Sequence, residues 1–233
     1  MRLKEHLYRI IAKTGTGLCT KIFPEYFAKE PLAPSDRYME VPFAIKNLPK
    51  PPARVLDVGC SGSFFALLLA GFGYDTYGID IRNYPILNKV TFDNFTFTKC
   101  DIRKTPFSDN FFDTVTAIST IEHIGVSGRY GMNDEIDSDK TALQEIWRVI
   151  KPGGIALLTF PFGKAKIIKP FSKVYDSSQV NELVRGFTIE KEEYYIQDSQ
   201  DNWHKCSREE AEKVDATSER YPLCLLKLLK VTN

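Results

Sequence analysis

The chain is poor in the features that mark metal sites, disulfide frameworks, membrane spans and nucleic-acid surfaces. Its five cysteines, Cys19, Cys60, Cys100, Cys206 and Cys224, are scattered over 233 residues and form no CxxC pair. That spacing supplies neither a zinc site nor a disulfide framework, and reduced thiols in a cytoplasmic compartment are the simplest reading. No uninterrupted apolar run is long enough to span a bilayer. The opening MRLKEHLYRIIAK carries charges where a signal peptide needs an apolar centre. A formal net charge of +1 leaves no global field pointing to nucleic acid or to an anionic membrane. No GKS or GKT follows the glycine turn, which excludes a P-loop. Internal repeats and low-complexity tracts are missing as well.

What is present is organised around Val55 to Ser63, VLDVGCSGS. A short apolar run enters an acid, Asp57, then a turn, Gly59-Cys60-Ser61-Gly62, then the apolar run Phe64 to Ala70. Strand, tight turn and helix open a nucleotide-binding α/β sheet. Glycine lets backbone pass close to a ligand where a Cβ would collide. A dinucleotide pyrophosphate would sit on the helix N-terminus, and a carboxylate there would repel it. Asp57 suits a ligand that is cationic where it crosses the turn, and the glycines miss the GxGxxG spacing. S-adenosylmethionine, with a sulfonium, an ammonium and no phosphate, fits. Taken alone, the turn also reads as an ordinary βα connection.

Strands are predicted at Tyr74–Ile79, Phe95–Cys100, Thr114–Ile118, Ile155–Phe160, Phe187–Ile196 and Leu223–Val231. Asp80 ends the second, about twenty residues beyond the turn, where a carboxylate commonly takes ribose hydroxyls. A helix capped by Ser35 or Asp36 is predicted through Tyr38, Val41, Phe43, Ala44 and Ile45, with Pro42 inside it. Ser138 or Asp139 is expected to cap a helix with Ala142, Leu143, Ile146, Trp147, Val149 and Ile150 on its apolar face. Asp176 caps another, and Ser207 with Glu210 forms a capping box. Residues 14–35 read as irregular, with Gly15, Gly17, Pro24, Pro31 and Pro34 as breakers. Before them, Leu3, Leu7, Ile10 and Ile11 recur at helical spacing, either packed on the domain or lying on a membrane surface with Lys4, Arg9 and Lys13. Alternating strands and helices imply a parallel sheet covered on both faces. The last two strands imply an antiparallel pair at one edge.

With these residues in place, the chain resembles the class I S-adenosylmethionine-dependent methyltransferases, type 11-like. The resemblance rests on VLDVGCSGS, on Asp80, on CDIRKTPFSDNFFD, on STIEHI and on WRVIKPGG before the fifth strand. It implies a Rossmann-like α/β three-layer sandwich whose seven-stranded, mostly parallel sheet has an antiparallel last strand. Residues 1–34 would be an extension, and 35–233 one methyltransferase domain with a substrate-cover insert near 197–220. Carried over by position, Asp57, Gly59 and Gly62 would hold the methionine part of S-adenosylmethionine. Cys60 and Ser61 complete that turn; Ser61 stands where relatives often have glycine, and the Cys60 thiol has no assigned role. Asp80 would hold the ribose, with Ile81 against the adenine. Asp101 and Ile102 would address the adenine edge, and Ser119 and Thr120 would line the cofactor near the methyl group. No metal is implied.

EHIGVSGRYG and FPFGKAK further resemble a branch associated with glycan synthesis, so the expected acceptor is a small molecule or glycan, with no integral membrane segment. The Asn/Asp-Pro-Pro-aromatic motif of DNA amino-methyltransferases and the Pro-Cys of cytosine C5 enzymes are missing, which disfavours nucleic acid. Methyl transfer asks the protein mainly to align acceptor and methyl, and a hydroxyl acceptor gains from a base. His123, just past the fourth strand, is the leading candidate and Glu122 the second. Helix initiation or loop packing would account for either. His204 and Tyr130 lie in loops that could close over the site. Trp203 could offer a sugar an aromatic face or only anchor the insert. Lys164, Lys166, Lys169 and Lys173 could meet an anionic acceptor or form a solvated face. A nicotinamide oxidoreductase and a non-catalytic partner subunit are the alternatives.

Overall fold

The computed structural model describes residues 35–233 except 129, 131, 132, 219, 232 and 233, together with 10, 11, 14, 15, 18, 21 and 22. The chain divides into two compact units, Met1–Pro34 and Ser35–Asn233. In the first, every described residue is helical, including Thr14, Gly15, Leu18, Lys21 and Ile22. The irregular reading of 14–35 fails there. The Thr14 hydroxyl donates back to the Ile10 carbonyl at 2.8 Å, and the prolines begin only at Pro24. Leu3 and Leu7 lie outside the described residues.

The second unit is built on one eight-stranded sheet. Its strands are β1 (Arg54–Val58), β2 (Asp75–Asp80), β3 (Phe95–Lys99), β4 (Phe112–Ile118), β5 (Ile150–Pro161), β8 (Thr188–Gln197), β9 (Trp203–Cys206) and β10 (Leu223–Leu229). The order is β3-β2-β1-β4-β5-β10-β8-β9. The first five are mutually parallel, and β10 runs antiparallel between β5 and β8. A separate hairpin, β6 (Lys166–Ile168) with β7 (Ser172–Val174), follows β5. Helices α1 (Arg37–Asn47) and α2 (Phe65–Gly71) cover one face, with Phe43, Ala44, Phe65 and Leu69 packed on Val55, Leu157 and Leu225. On the other face α3 (Ser138–Val149), α4 (Ser177–Leu183) and α5 (Arg208–Glu212) set Ala142, Leu143, Ile146, Val180, Leu183 and Ala211 against Leu56, Val115 and Leu158. This is the Rossmann-like three-layer sandwich, with one strand more than expected.

The extra strand comes from the insert. Asp198 accepts the amides of Gln200 (2.8 Å) and Asn202 (3.0 Å), and this Asx-type turn reverses the chain so that Trp203–Cys206 pairs with Tyr194–Gln197. The polar turn residues hide that hairpin in the sequence. Asp176 caps α4 and Ser207 with Glu210 boxes α5, as predicted. Two local expectations are corrected. Asp137, in a left-handed conformation, is the N-cap of α3, while Ser138 and Asp139 turn inward. In α1 the buried face is Glu40, Phe43 and Ala44, not Tyr38 and Ile45, which are exposed. Positions 40, 43 and 44 share one helical stripe, and an acid occupies it.

Candidate active site

The C-terminal ends of β1 to β4 open on a cleft of about 540 Å³. Its floor is the turn after β1. Gly59 donates its amide to the Ile79 carbonyl (2.8 Å), which ties the turn to β2. Gly59 has φ +79°, and a Cβ there would lie 2.5 Å from Thr120 Oγ1, which itself donates to the Val58 carbonyl at 3.0 Å. Both backbone and space therefore require glycine. Gly59→Ala is expected to cost about 1–2 kcal/mol of stability from the left-handed backbone alone, read as a lower midpoint in denaturant unfolding. An unchanged midpoint would show that neither the left-handed backbone nor the Thr120 contact requires glycine here.

Gly59, Gly62, Asp80, Ile81, Asp101, Ile102, Ser119, Thr120 and His123 all line this one cleft. Asp57, Cys60, Ser61 and Glu122 lie behind its wall and are not part of the lining. Alternation along β1 sends the Asp57 side chain to the α1–α2 face, where Thr116 Oγ1 donates to it at 2.7 Å. Burial pushes its carboxyl up to about 7, against the Thr116 hydrogen bond and the Arg37 charge. The Cys60 thiol packs on β2, where a Cβ at Gly78 would come within 2.8 Å of Sγ. Ser61 gives its amide to Asp80 at 3.2 Å, and its buried Oγ has no hydrogen-bond partner among the described residues.

Asp80 and Asp101 share a device the sequence reading passed over. Each opens an Asp-Ile-Arg tripeptide, DIR at 80–82 and again at 101–103, on neighbouring strand ends. Asp80 accepts the Arg82 amide (2.8 Å), Nε (3.0 Å) and Nη2 (2.9 Å). Asp101 takes the same three groups from Arg103, at 2.9, 3.1 and 2.6 Å. Burial alone would raise both carboxyls. The arginines overcome it and hold each below its ordinary value, so both are ionised at neutral pH. Arg103 also binds Glu135 and Ser138, anchoring the loop after His123. The Arg82 guanidinium lies over the Tyr130 ring, 4.8 Å from its centroid. The recurring tripeptide was the available signal for both arginines.

At the end of β4, Ser119 has φ +43° and donates its hydroxyl to Glu40 at 2.5 Å. Thr159 donates to the same oxygen at 2.5 Å, and Arg37 Nη1 to the other at 2.6 Å. Arg37 thus lines this end of the cleft with the buried Glu40 behind it, neither expected from the sequence. The signal was an acid on the apolar stripe of α1. His123 Nδ1 lies 2.6 Å from the Phe171 carbonyl and its ring meets Tyr130 edge-on at 5.0 Å. Its Nε2 is 3.6 Å from Glu122 Oε1. Burial pushes the Glu122 carboxyl well above its ordinary value.

The remaining candidates fall elsewhere. Trp203 packs with the Leu223–Leu225 cluster, His204 is exposed and pairs with Asp198 at 2.7 Å, and no described residue of 197–220 lines the cleft. Of the two readings of Trp203, the packing is that of the anchor: alternation in β9 turns it to the core. Lys166, Lys169 and Lys173 pair with Asp215, Asp134 and Asp139. Among the described residues no three acids, histidines or cysteines are grouped to hold a metal, and no helix is long and apolar enough to cross a membrane.

Residues 56–158 match the family model described as a methyltransferase domain. They belong to the class I S-adenosylmethionine-dependent methyltransferases. The methyltransferase domain is similar to the ubiquinone/menaquinone biosynthesis C-methyltransferase UbiE of Pectobacterium carotovorum, 36% identical over 142 residues, covering 57% of this chain and 51% of that protein. It is also similar to the sterol 24-C-methyltransferase erg6 of Schizosaccharomyces pombe, 32% identical over 177 residues, covering 72% of this chain and 41% of that protein. The chain spans about half or less of the length of these relatives. Among solved structures, the fold is shared with the [4+2]-cyclase SpnF (TM-score 0.61, 18% identity, 84% of this chain and 81% of that one). It is shared too with phosphoethanolamine N-methyltransferase 2 of Haemonchus contortus in complex with S-adenosyl-L-methionine (TM-score 0.60, 18% identity, 86% and 54%). Every sequence signal behind the resemblance except the start of VLDVGCSGS lies within the matched residues.

Proposed function

We propose that this chain is an S-adenosylmethionine-dependent methyltransferase acting on a small-molecule acceptor, with methyl carried to a hydroxyl oxygen. The observation that carries this reading is the charge layout of the cleft. Buried carboxyls stand behind a glycine turn that has no phosphate cradle, and two ionised carboxylates stand at the next two strand ends. The cofactor, when bound, supplies a methyl group already activated by the sulfonium. Gly59 and Gly62 leave the backbone open to its methionine part, and Asp57 acts on that cationic end from behind the turn. Asp80 accepts ribose hydroxyls once Arg82 turns aside, and Ile81 and Ile102 flank the adenine at whose edge Asp101 accepts. Ser119 and Thr120 border the methyl group.

A carbonyl can only accept, so the His123–Phe171 contact places the proton on Nδ1 and the lone pair on Nε2. Nε2 is then the basic nitrogen at the cleft wall, and it takes the acceptor's proton as the new bond forms. The C-methyltransferases among the relatives also act on small molecules, and UbiE and sterol enzymes by name support that class of acceptor. Trp203, packed with the core cluster, lends a glycan acceptor no support. Calorimetry should show binding of S-adenosylmethionine and its demethylated product and no comparable binding of NAD. Methyl-labelled cofactor offered with pooled small molecules should then yield a labelled product by mass. Tight NAD binding with no response to the adenosyl cofactors would overturn the proposal.

A further inference from the structure

We propose that Glu122 reads the cofactor's charge: it holds a proton in the cofactor-free protein and releases it to solvent when the sulfonium form binds, so the methyl donor is distinguished from its neutral thioether product. This rests on the reading of the cleft given above. Glu122 is 2% exposed, its Oε2 has no hydrogen-bond partner among the described residues, and Oε1 lies beyond hydrogen-bond reach of His123. A bare carboxylate so placed costs far more than the neutral acid. Yet the turn that carries it, Ile121–His123, directly follows Ser119 and Thr120 of the cleft lining.

The groups around it set the balance. From α1 come Asp36, Arg37 and Glu40, and from its own turn His123. Tyr175, after β7, donates to Asp139 at 2.8 Å, and Asp139 pairs with Lys173 at 3.0 Å. Tyr221, before β10, donates to Asp36 at 2.9 Å. Arg37 is the cation that acts on Glu40, Asp57 and Glu122 together, and its hydrogen bond goes to Glu40. Burial, with Glu40 adding to it, lifts the Glu122 carboxyl well above its ordinary value. One more positive charge beside this wall favours the ionised form, and linkage requires the converse. Affinity for the sulfonium cofactor therefore rises with pH over the range in which the cofactor-free protein still holds the proton, while affinity for the thioether stays flat.

Charge is conserved through turnover. The sulfur–methyl bond breaks as the acceptor–methyl bond forms, sulfur becomes neutral, and the acceptor's proton leaves through His123 Nε2. That proton passes from His123 to solvent, and Glu122 regains one from solvent as the positive charge disappears. Titration calorimetry in two buffers of different ionisation heat, near neutral pH, tests this on the whole chain. Wild type should release more protons with S-adenosylmethionine than with S-adenosylhomocysteine, the difference approaching about one. Glu122→Gln should abolish the difference and lower the ratio of the two affinities about tenfold. Equal proton release in wild type would overturn the proposal. So would a folded Glu122→Gln protein that keeps the difference, since the proton would then come from Asp57. If the variant does not fold, the wild-type counts decide. Failure to bind either cofactor would sink the cofactor reading itself, and this proposal with it; binding of both without differential release sinks only this one.

Discussion

His123→Ala should lower kcat by about 10²–10⁴-fold, the range that a positioned base contributes, while the dissociation constant of S-adenosylmethionine changes little. The expectation follows from how the ring is held. Nδ1 is engaged by the Phe171 carbonyl at 2.6 Å, and the ring edge packs on Tyr130. The tautomer and the direction of Nε2 are thus both set before an acceptor arrives, and little reorganisation remains for the reaction itself. Most of the cofactor contacts proposed above lie at the ends of β1, β2 and β3, with only Ser119 and Thr120 on the same strand end as His123, so binding and turnover should separate. Single-turnover kinetics with methyl-labelled cofactor, beside calorimetry of the same variant, make the measurement. Near-normal turnover would remove His123 from the chemistry and leave alignment alone as the source of rate.

Asp80→Ala should weaken S-adenosylmethionine binding by about ten- to a hundredfold, as expected for loss of a hydrogen bond to a charged group worth about 1.5–3 kcal/mol. Two effects combine. The ribose loses its ionised acceptor, and the Ser61 amide loses the carboxylate that holds the turn's middle at 3.2 Å. The carboxylate is already charged, because Arg82 offsets the cost of burying it. Arg82 is therefore the support of Asp80 and, in the proposed binding mode, the group that would yield to a ribose. The fold should survive, since Asp80 sits at the strand's end, after the β1–β2 register from Arg54 to Val58 is complete. A dissociation constant unchanged in a folded variant would place the ribose elsewhere.

The parallel half of the sheet was legible because apolar runs, glycine turns and the acids after them are local signals. Gly59, Gly62 and Asp80 were named from such signals, and Ile81, Asp101, Ile102, Ser119 and Thr120 from the family resemblance; the structure brings all of them to one cleft. What escaped was set by long-range packing. Glu40 reads as one more polar residue of an exposed helix until Ser119 and Thr159, 79 and 119 positions away, supply its hydrogen bonds. The direction of the Asp57 side chain depends on the pleat of β1 against β4, which a motif does not state. Arg82 and Arg103 were in plain view as a twice-used tripeptide, but their roles follow from each guanidinium folding back on its own aspartate. The insert was read by its polar composition, although Asp198 and the residues after it make the turn of a hairpin.

That hairpin also bears on how the molecule behaves in company. Without it the sheet would end in β8, ten residues of strand with one side of its backbone unpaired, which is a template for the strand of another chain. Instead the sheet ends in a strand of four residues whose central pair, His204 and Lys205, is exposed and able to carry charge. A short, polar border of this kind gives a neighbouring chain little to zip onto, so the excursion between β8 and β10 guards against intermolecular sheet growth.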